Sequence, residues 1–249
     1  MRIEPNAVTV PFLLLLALLF TGPAWAQTEE DRLEAYFAAK QSAYRYYRSA
    51  WFYLRTGNVA LSSLELSSFA EGWDEIRARF GDDPPGPFAE DAMWRESLDR
   101  IAELTAAGQA ALEANDTEAA KAALADIPRI MADTRARSGV VTFSDSVEDV
   151  SDALDGLWRY RDGEIDFAEE ATRADLGAGA ARLRDAMGRL RDDAPDEVAF
   201  DDRFLRLVDN GDAAIDRLEQ AIDAQDQADV VNALRELRSF ERLLWLNFG

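Results

Sequence analysis

Side chains able to carry chemistry gather in three places along this sequence. The first is a pair of acidic, proline-broken strings, RFGDDPPGPFAEDAMW (79–94) and RLRDDAPDEVAFDDRF (189–204), which lie 110 residues apart. Asp192, Asp193, Asp196, Glu197, Asp201 and Asp202 could offer oxygens to calcium, which takes roughly six to eight of them. No EF-hand spacing with its central glycine is present, and aspartate with proline is also what a turn between helices requires. The strings read as one joint written twice, and no metal ligand is assigned to them.

The second place is YFAAKQSAYRYYRSAWFYL (36–54), which holds five of the six tyrosines. Tyr36, Ala43, Tyr46, Ala50 and Tyr53 follow one heptad-spaced seam, and Phe37, Tyr44 and Trp51 follow another. A helix with two such seams is apolar over most of its girth and touches more than one layer. Its remaining face carries Arg45, Arg48 and Arg55, with Phe52 among them. Rings with polar tips beside guanidiniums suit a ligand or partner surface, so Tyr36, Tyr46, Trp51, Phe52, Tyr53, Arg45, Arg48 and Arg55 are the candidate residues. Packing between helical layers would use the same aromatics. The third place is a set of methionines, Met93, Met131 and Met187, too scattered for a soft-metal site.

The exclusions are sharper. The chain has no histidine and no cysteine. Ser-His-Asp and Cys-His catalysis, His-ligated zinc, haem and copper, and the Glu-x-x-His pattern of di-iron bundles are all ruled out. Acid–base work by paired carboxylates, as in glycosidases, is the remaining enzymatic alternative. With 48 aspartates and glutamates, two of them lying close together says nothing. No catalytic residue and no cofactor is assigned.

Residues 1–26 read as a cleavable secretory signal: a short start with Arg2, the apolar run VPFLLLLALLF, then GPAWA with small residues Ala24 and Ala26 at the cut. The run is too short for a comfortable membrane span, so no integral membrane segment is expected after cleavage, and the periplasm is the expected compartment. Losing Arg2 and Glu4 leaves the net charge at −21. Such a charge disfavours nucleic acid and anionic membrane surfaces and favours solubility. Without cysteine, the fold rests on packing alone.

The elements that must position these groups are helices. Glycine and proline are scarce outside the joints, and Ala, Leu, Arg, Glu and Asp dominate. Leu66, Phe69, Trp73, Ile76 and Phe80 keep the 3-4 spacing of an amphipathic helix, and Leu176, Gly179, Leu183, Ala186 and Leu190 repeat it 110 residues later. Trp94, Leu98, Ile101, Gly108 and Leu112 match Phe204, Val208, Gly211, Leu218 and Ile222; Leu124, Ile127 and Ile130 match Leu234, Leu237 and Phe240. The pattern predicts an all-α chain of two tandem antiparallel four-helix bundles from an internal duplication, over 27–140 and 146–249. Helices are expected near 30–56, 58–80, 89–114, 116–137, 146–162, 164–191, 198–224 and 226–247. Asp116 and Asp226 are the expected N-caps, Ser146 with Asp149 a capping box, and Gly57 and Gly163 left-handed C-caps. Pro128, where the second copy has Arg238, predicts a kink near Ile127.

Two antiparallel bundles behind a signal peptide resemble, in architecture, the periplasmic cytochrome c-prime class. That family carries Cys-x-x-Cys-His on its last helix, whereas the matching stretches here read IPRIMADTRARSG and LRSFERLLWLNFG. The resemblance therefore implies a haem-less bundle. The function expected is that of a non-enzymatic binding or adaptor module for a protein partner or small ligand, working through helix surfaces and chiefly the aromatic first helix. A carboxylate-based metal or small-ligand carrier is the alternative, and an Asp/Glu hydrolase comes third.

Overall fold

The computed structural model describes residues 28–249, so the expected signal peptide lies outside the described residues. Among these residues all regular structure is helical: α1 (Glu29–Thr56), α2 (Val59–Phe80), α3 (Trp94–Glu113), α4 (Thr117–Leu124), α5 (Ile127–Arg137), α6 (Phe143–Trp158), α7 (Glu170–Asp192), the single turn α8 (Asp196–Ala199), α9 (Asp202–Ala224) and α10 (Gln227–Phe248). Short 3-10 segments cover Gly86–Glu90 and Arg159–Arg161. No helix of the described residues is long and apolar enough to cross a membrane.

Local chemistry sets the helix ends. Thr28 and Asp31 form a reciprocal capping box at the start of α1, and Gly57, at φ 82°, ends it in the left-handed conformation glycine tolerates. Asp116 and Asp226 cap α4 and α10 through their side chains. The turns before them match closely. Asn115 (φ 57°) and Gln225 (φ 56°) are both left-handed. Each donates its N–H to Leu112 and Ile222 respectively at 3.0 Å, while Asp116 and Asp226 reach back to Ala111 and Ala221 at 2.8 and 2.9 Å. The two acidic strings are turns as well, each followed by a short helical turn, Gly86–Glu90 and Asp196–Ala199. Their carboxylates are used locally: Asp82 pairs with Arg95, Asp83 with Arg32, and Asp193 accepts from the Ser146 hydroxyl at 2.6 Å.

Three boundaries differ from those expected. The capping box before α6 uses Thr142 and Asp145, not Ser146 and Asp149, because Ser146 is buried and turned toward Asp193. α7 begins at Glu170 instead of near 164. Ile165 is held in the core without helix, since the Gln227 side chain accepts from its N–H at 3.1 Å and donates to the Gly163 carbonyl at 2.9 Å. Gly163 has the expected positive φ, 94°, within that irregular segment. The helix expected over 116–137 is two helices.

The apolar stripes close on one another as the spacing demands. Leu66, Phe69, Trp73, Ile76 and Phe80 are all 2% exposed or less and lie in one buried cluster with α1 and α3 residues. Leu176, Leu183 and Leu190 lie in a second, with residues of α6, α9 and α10. Contacts run in the same order in both halves. α1 meets α2, α2 meets α3, α3 meets α4 and α5, and α4 returns to α1; α6 meets α7, α7 meets α9, α9 meets α10, and α10 returns to α6. At Gly108 a Cβ would lie 2.8 Å from a methyl of Leu124, so α3 and α4 approach as closely as they do because that position is bare.

Pro128 explains the divided helix. An α-helix running through it would ask its missing N–H to satisfy the carbonyl of residue 124. The chain instead turns at 125–126, and Pro128 starts α5, where the absent donor costs nothing. The Leu124 carbonyl takes its hydrogen bond from the buried Tyr47 hydroxyl, at 2.9 Å. Burial holds that phenol well above its ordinary pKa, so it stays a donor. In the other half Arg238 stands at the matching place, α10 is continuous, and the position matching Tyr47 is Leu157. Tyr47→Phe should therefore cost about 1–3 kcal/mol by orphaning a buried carbonyl. The cost should shrink in a Pro128→Ala background, where a backbone donor returns; additive effects in a denaturant double-mutant cycle would refute the pairing.

Candidate functional site

The two halves meet where α1 faces α10. Trp245 packs against both buried clusters, with its ring edge-on to Tyr44 and Tyr47 at 6.5 and 6.3 Å between centroids. Beside it lies a cleft of about 410 Å³. Tyr47, Trp51, Phe52 and Arg55 of α1 line one side. Ala125 and Pro128, at the break between α4 and α5, line another; Glu148, Ser151 and Asp152 come from α6, and Glu241, Arg242, Leu243, Trp245 and Leu246 from α10. Phe52 and Leu243 stay 43% and 48% exposed, large apolar side chains left open to solvent.

Of the residues proposed from the sequence, Trp51, Phe52 and Arg55 come together in this cleft. Tyr36 does not belong to a surface. It is 6% exposed in the first core, its ring 5.2–5.5 Å from those of Trp94, Phe88 and Phe80. The heptad seam that suggested it is a packing seam at that end of α1. Arg48 is likewise buried, its guanidinium 5.6 Å from the Tyr44 ring and its Nε without a partner. Arg45 is exposed and covers the ring of Tyr46, which is half-buried against the first core. Tyr53 is half-buried with its ring edge-on to Phe52 at 5.6 Å. The sequence reading missed the α6 carboxylates and Arg242. Its only pointers to the opposite wall were Pro128 and the apolar crowding of the C-terminal FERLLWLNFG.

Below the cleft the seam holds buried charge. Arg135 of α5 is 5% exposed and reaches across to α6, giving Nη2 to Asp145 at 2.5 Å and lying 3.7 Å from Glu148. Burial works to raise Asp145, but hydrogen bonds from Arg135 and the Thr142 N–H outweigh it and hold that carboxyl below its usual range. Burial raises Glu148 against the opposing pull of Arg135. Asp152 is raised too, by burial and by its neighbours Asp155 and Asp149. Glu241 is engaged by Ser151 at 3.0 Å and by Arg238 at 3.3 Å. Among the described residues no group of three or more Asp or Glu is gathered closely enough to hold a metal ion.

Lys40 is the costliest of these groups. It is 8% exposed, with no ion pair among the described residues. Burial first, and Arg135 second, push its pKa down to about 8, while Asp145 and Glu148 only partly offset them. A group depressed in the folded state penalises folding below that value, and the penalty fades as pH rises from about 8 toward its ordinary 10.5. Lys40→Met should therefore raise stability at pH 7 by something on the order of 1–3 kcal/mol. In denaturant titrations the gap from wild type should close between pH 8 and 10.5. A pH-independent gap, or a loss of stability at pH 7, would show that the ammonium is paid for by its acidic neighbours.

Comparison with protein-family models, with curated proteins and with solved structures finds no match to this chain.

Proposed function

We propose that this is a non-enzymatic periplasmic binding protein, built as two haem-less four-helix bundles from an internal duplication, whose occupant sits in the cleft at their seam. The duplication is supported by the matched stripes, the matched ring of contacts and the paired left-handed turns at Asn115 and Gln225. The observation that carries the binding reading is where the two copies depart from each other. Tyr47, Trp51, Phe52, Arg55 and Pro128 line the cleft, and 110 residues on stand Leu157, Arg161, Asp162, Ile165 and Arg238. Selection for packing alone gives no reason for half-exposed Phe52 and Leu243 to face each other across a gap. A cleft of this size, mostly apolar with a few polar groups, is the usual form of a small-ligand site.

Nile red, a neutral apolar dye, tests the reading. It should bind one per chain with enhanced fluorescence, and Phe52→Ser with Leu243→Ser should weaken it about tenfold, as expected for apolar area lost from one contact surface. Both side chains are half-exposed, so the fold should survive, which far-UV circular dichroism checks. Undiminished dye binding in a folded variant would rule the cleft out.

A further inference from the structure

The charge around the cleft is unevenly spent. The chain carries 48 acidic and 27 basic side chains, so an arginine has acids to spare, and most of its arginines are paired. Arg55 and Arg242 are not. Both line the cleft, and among the described residues neither forms an ion pair. They also stand near each other. Arg242 is pushed below the ordinary arginine range by burial and then by Arg55 and Arg238, with only Glu241 opposing. Of the three carboxylates lining the same cleft, Glu241 is taken by Arg238 and Ser151, and Glu148 faces Arg135. Asp152 alone has no partner, and its α6 neighbours already repel its charge. Two guanidiniums set side by side without an acid are a planar, donor-rich site for a carboxylate, which they can grip in bidentate fashion.

We infer that the occupant of this cleft is a single-chain amphipathic carboxylate, its head on Arg55 and Arg242 and its tail against Phe52, Leu243 and Trp245. This rests on the cleft being a binding site and adds the class of ligand. A volume of about 410 Å³ lies toward the small end of ligand pockets, which suits one short apolar chain better than a two-chain lipid.

Calorimetry with three probes that share a ten-carbon tail decides it: decanoate, decyltrimethylammonium and decanol, each below its aggregation threshold. Decanoate should bind one per chain and more tightly than the other two. In Arg55→Gln/Arg242→Gln its affinity should fall about tenfold or more, as for lost charge-assisted hydrogen bonds, while decanol is unchanged. The variant should fold at least as well as wild type, because it relieves repulsion and breaks no ion pair, and thermal melting checks this. Equal binding of all three, a preference for the cation, or a decanoate affinity indifferent to the double substitution would overturn the carboxylate inference and leave the apolar cleft standing. No binding of any of the three would overturn both.

Discussion

A buried carbonyl without a donor costs about 1–3 kcal/mol, and Pro128 creates one at Leu124 wherever the helix tries to run through. The chain answers with a tyrosine from another helix. Because Tyr47 reaches Leu124 from α1, the break between α4 and α5 is pinned to the face of α1 that meets the second half. The same ring stacks at 5.2 Å on Tyr44 and stands edge-on to Trp245. One polar requirement thus fixes where α4 stops, which way α5 leaves, and which aromatic floor lies under the cleft.

That arrangement also explains how the seam carries charge. α5, redirected at Pro128, delivers Arg135 into the gap between the halves, where it holds Asp145 at the start of α6. The pair bridges the joint between the halves, and the Asp145 carboxylate is at once the acid of a helix cap and the partner of a buried guanidinium. Lys40 lies in the same layer without such a partner. Its placement is a cost that the surrounding packing of Tyr44 and Trp245 has to offset.

The helices were legible because their signal is local. A 3-4 apolar stripe such as Leu66 to Phe80 has one way to hide, and Asp116 and Asp226 announce their helix starts within three residues. The start of α7 was not legible, since the groups that keep 163–169 from joining the helix include Gln227, more than 60 residues away. The cleft was half legible. Its α1 wall could be read from the aromatic and arginine pattern. That pattern could not say that Tyr36 turns inward at one end while Trp51 and Phe52 open outward at the other. Nor could spacing along the chain bring Arg242 beside Arg55, because that neighbourhood exists only once α10 lies on α1.

Trp245 belongs to both cores, and this has a bearing on the order in which the molecule can be made. Synthesis delivers α1 long before α10, and chains tend to fold as they emerge. Until the residues around Trp245 arrive, the rings of Tyr44 and Tyr47 have nothing to cover them, and the early half carries an open aromatic strip. Completion of the first core therefore waits on nearly the whole of the described chain. A nascent fragment ending before α10 would be sticky along α1, a strong reason for a holding chaperone to attend it until the closing helix is in hand.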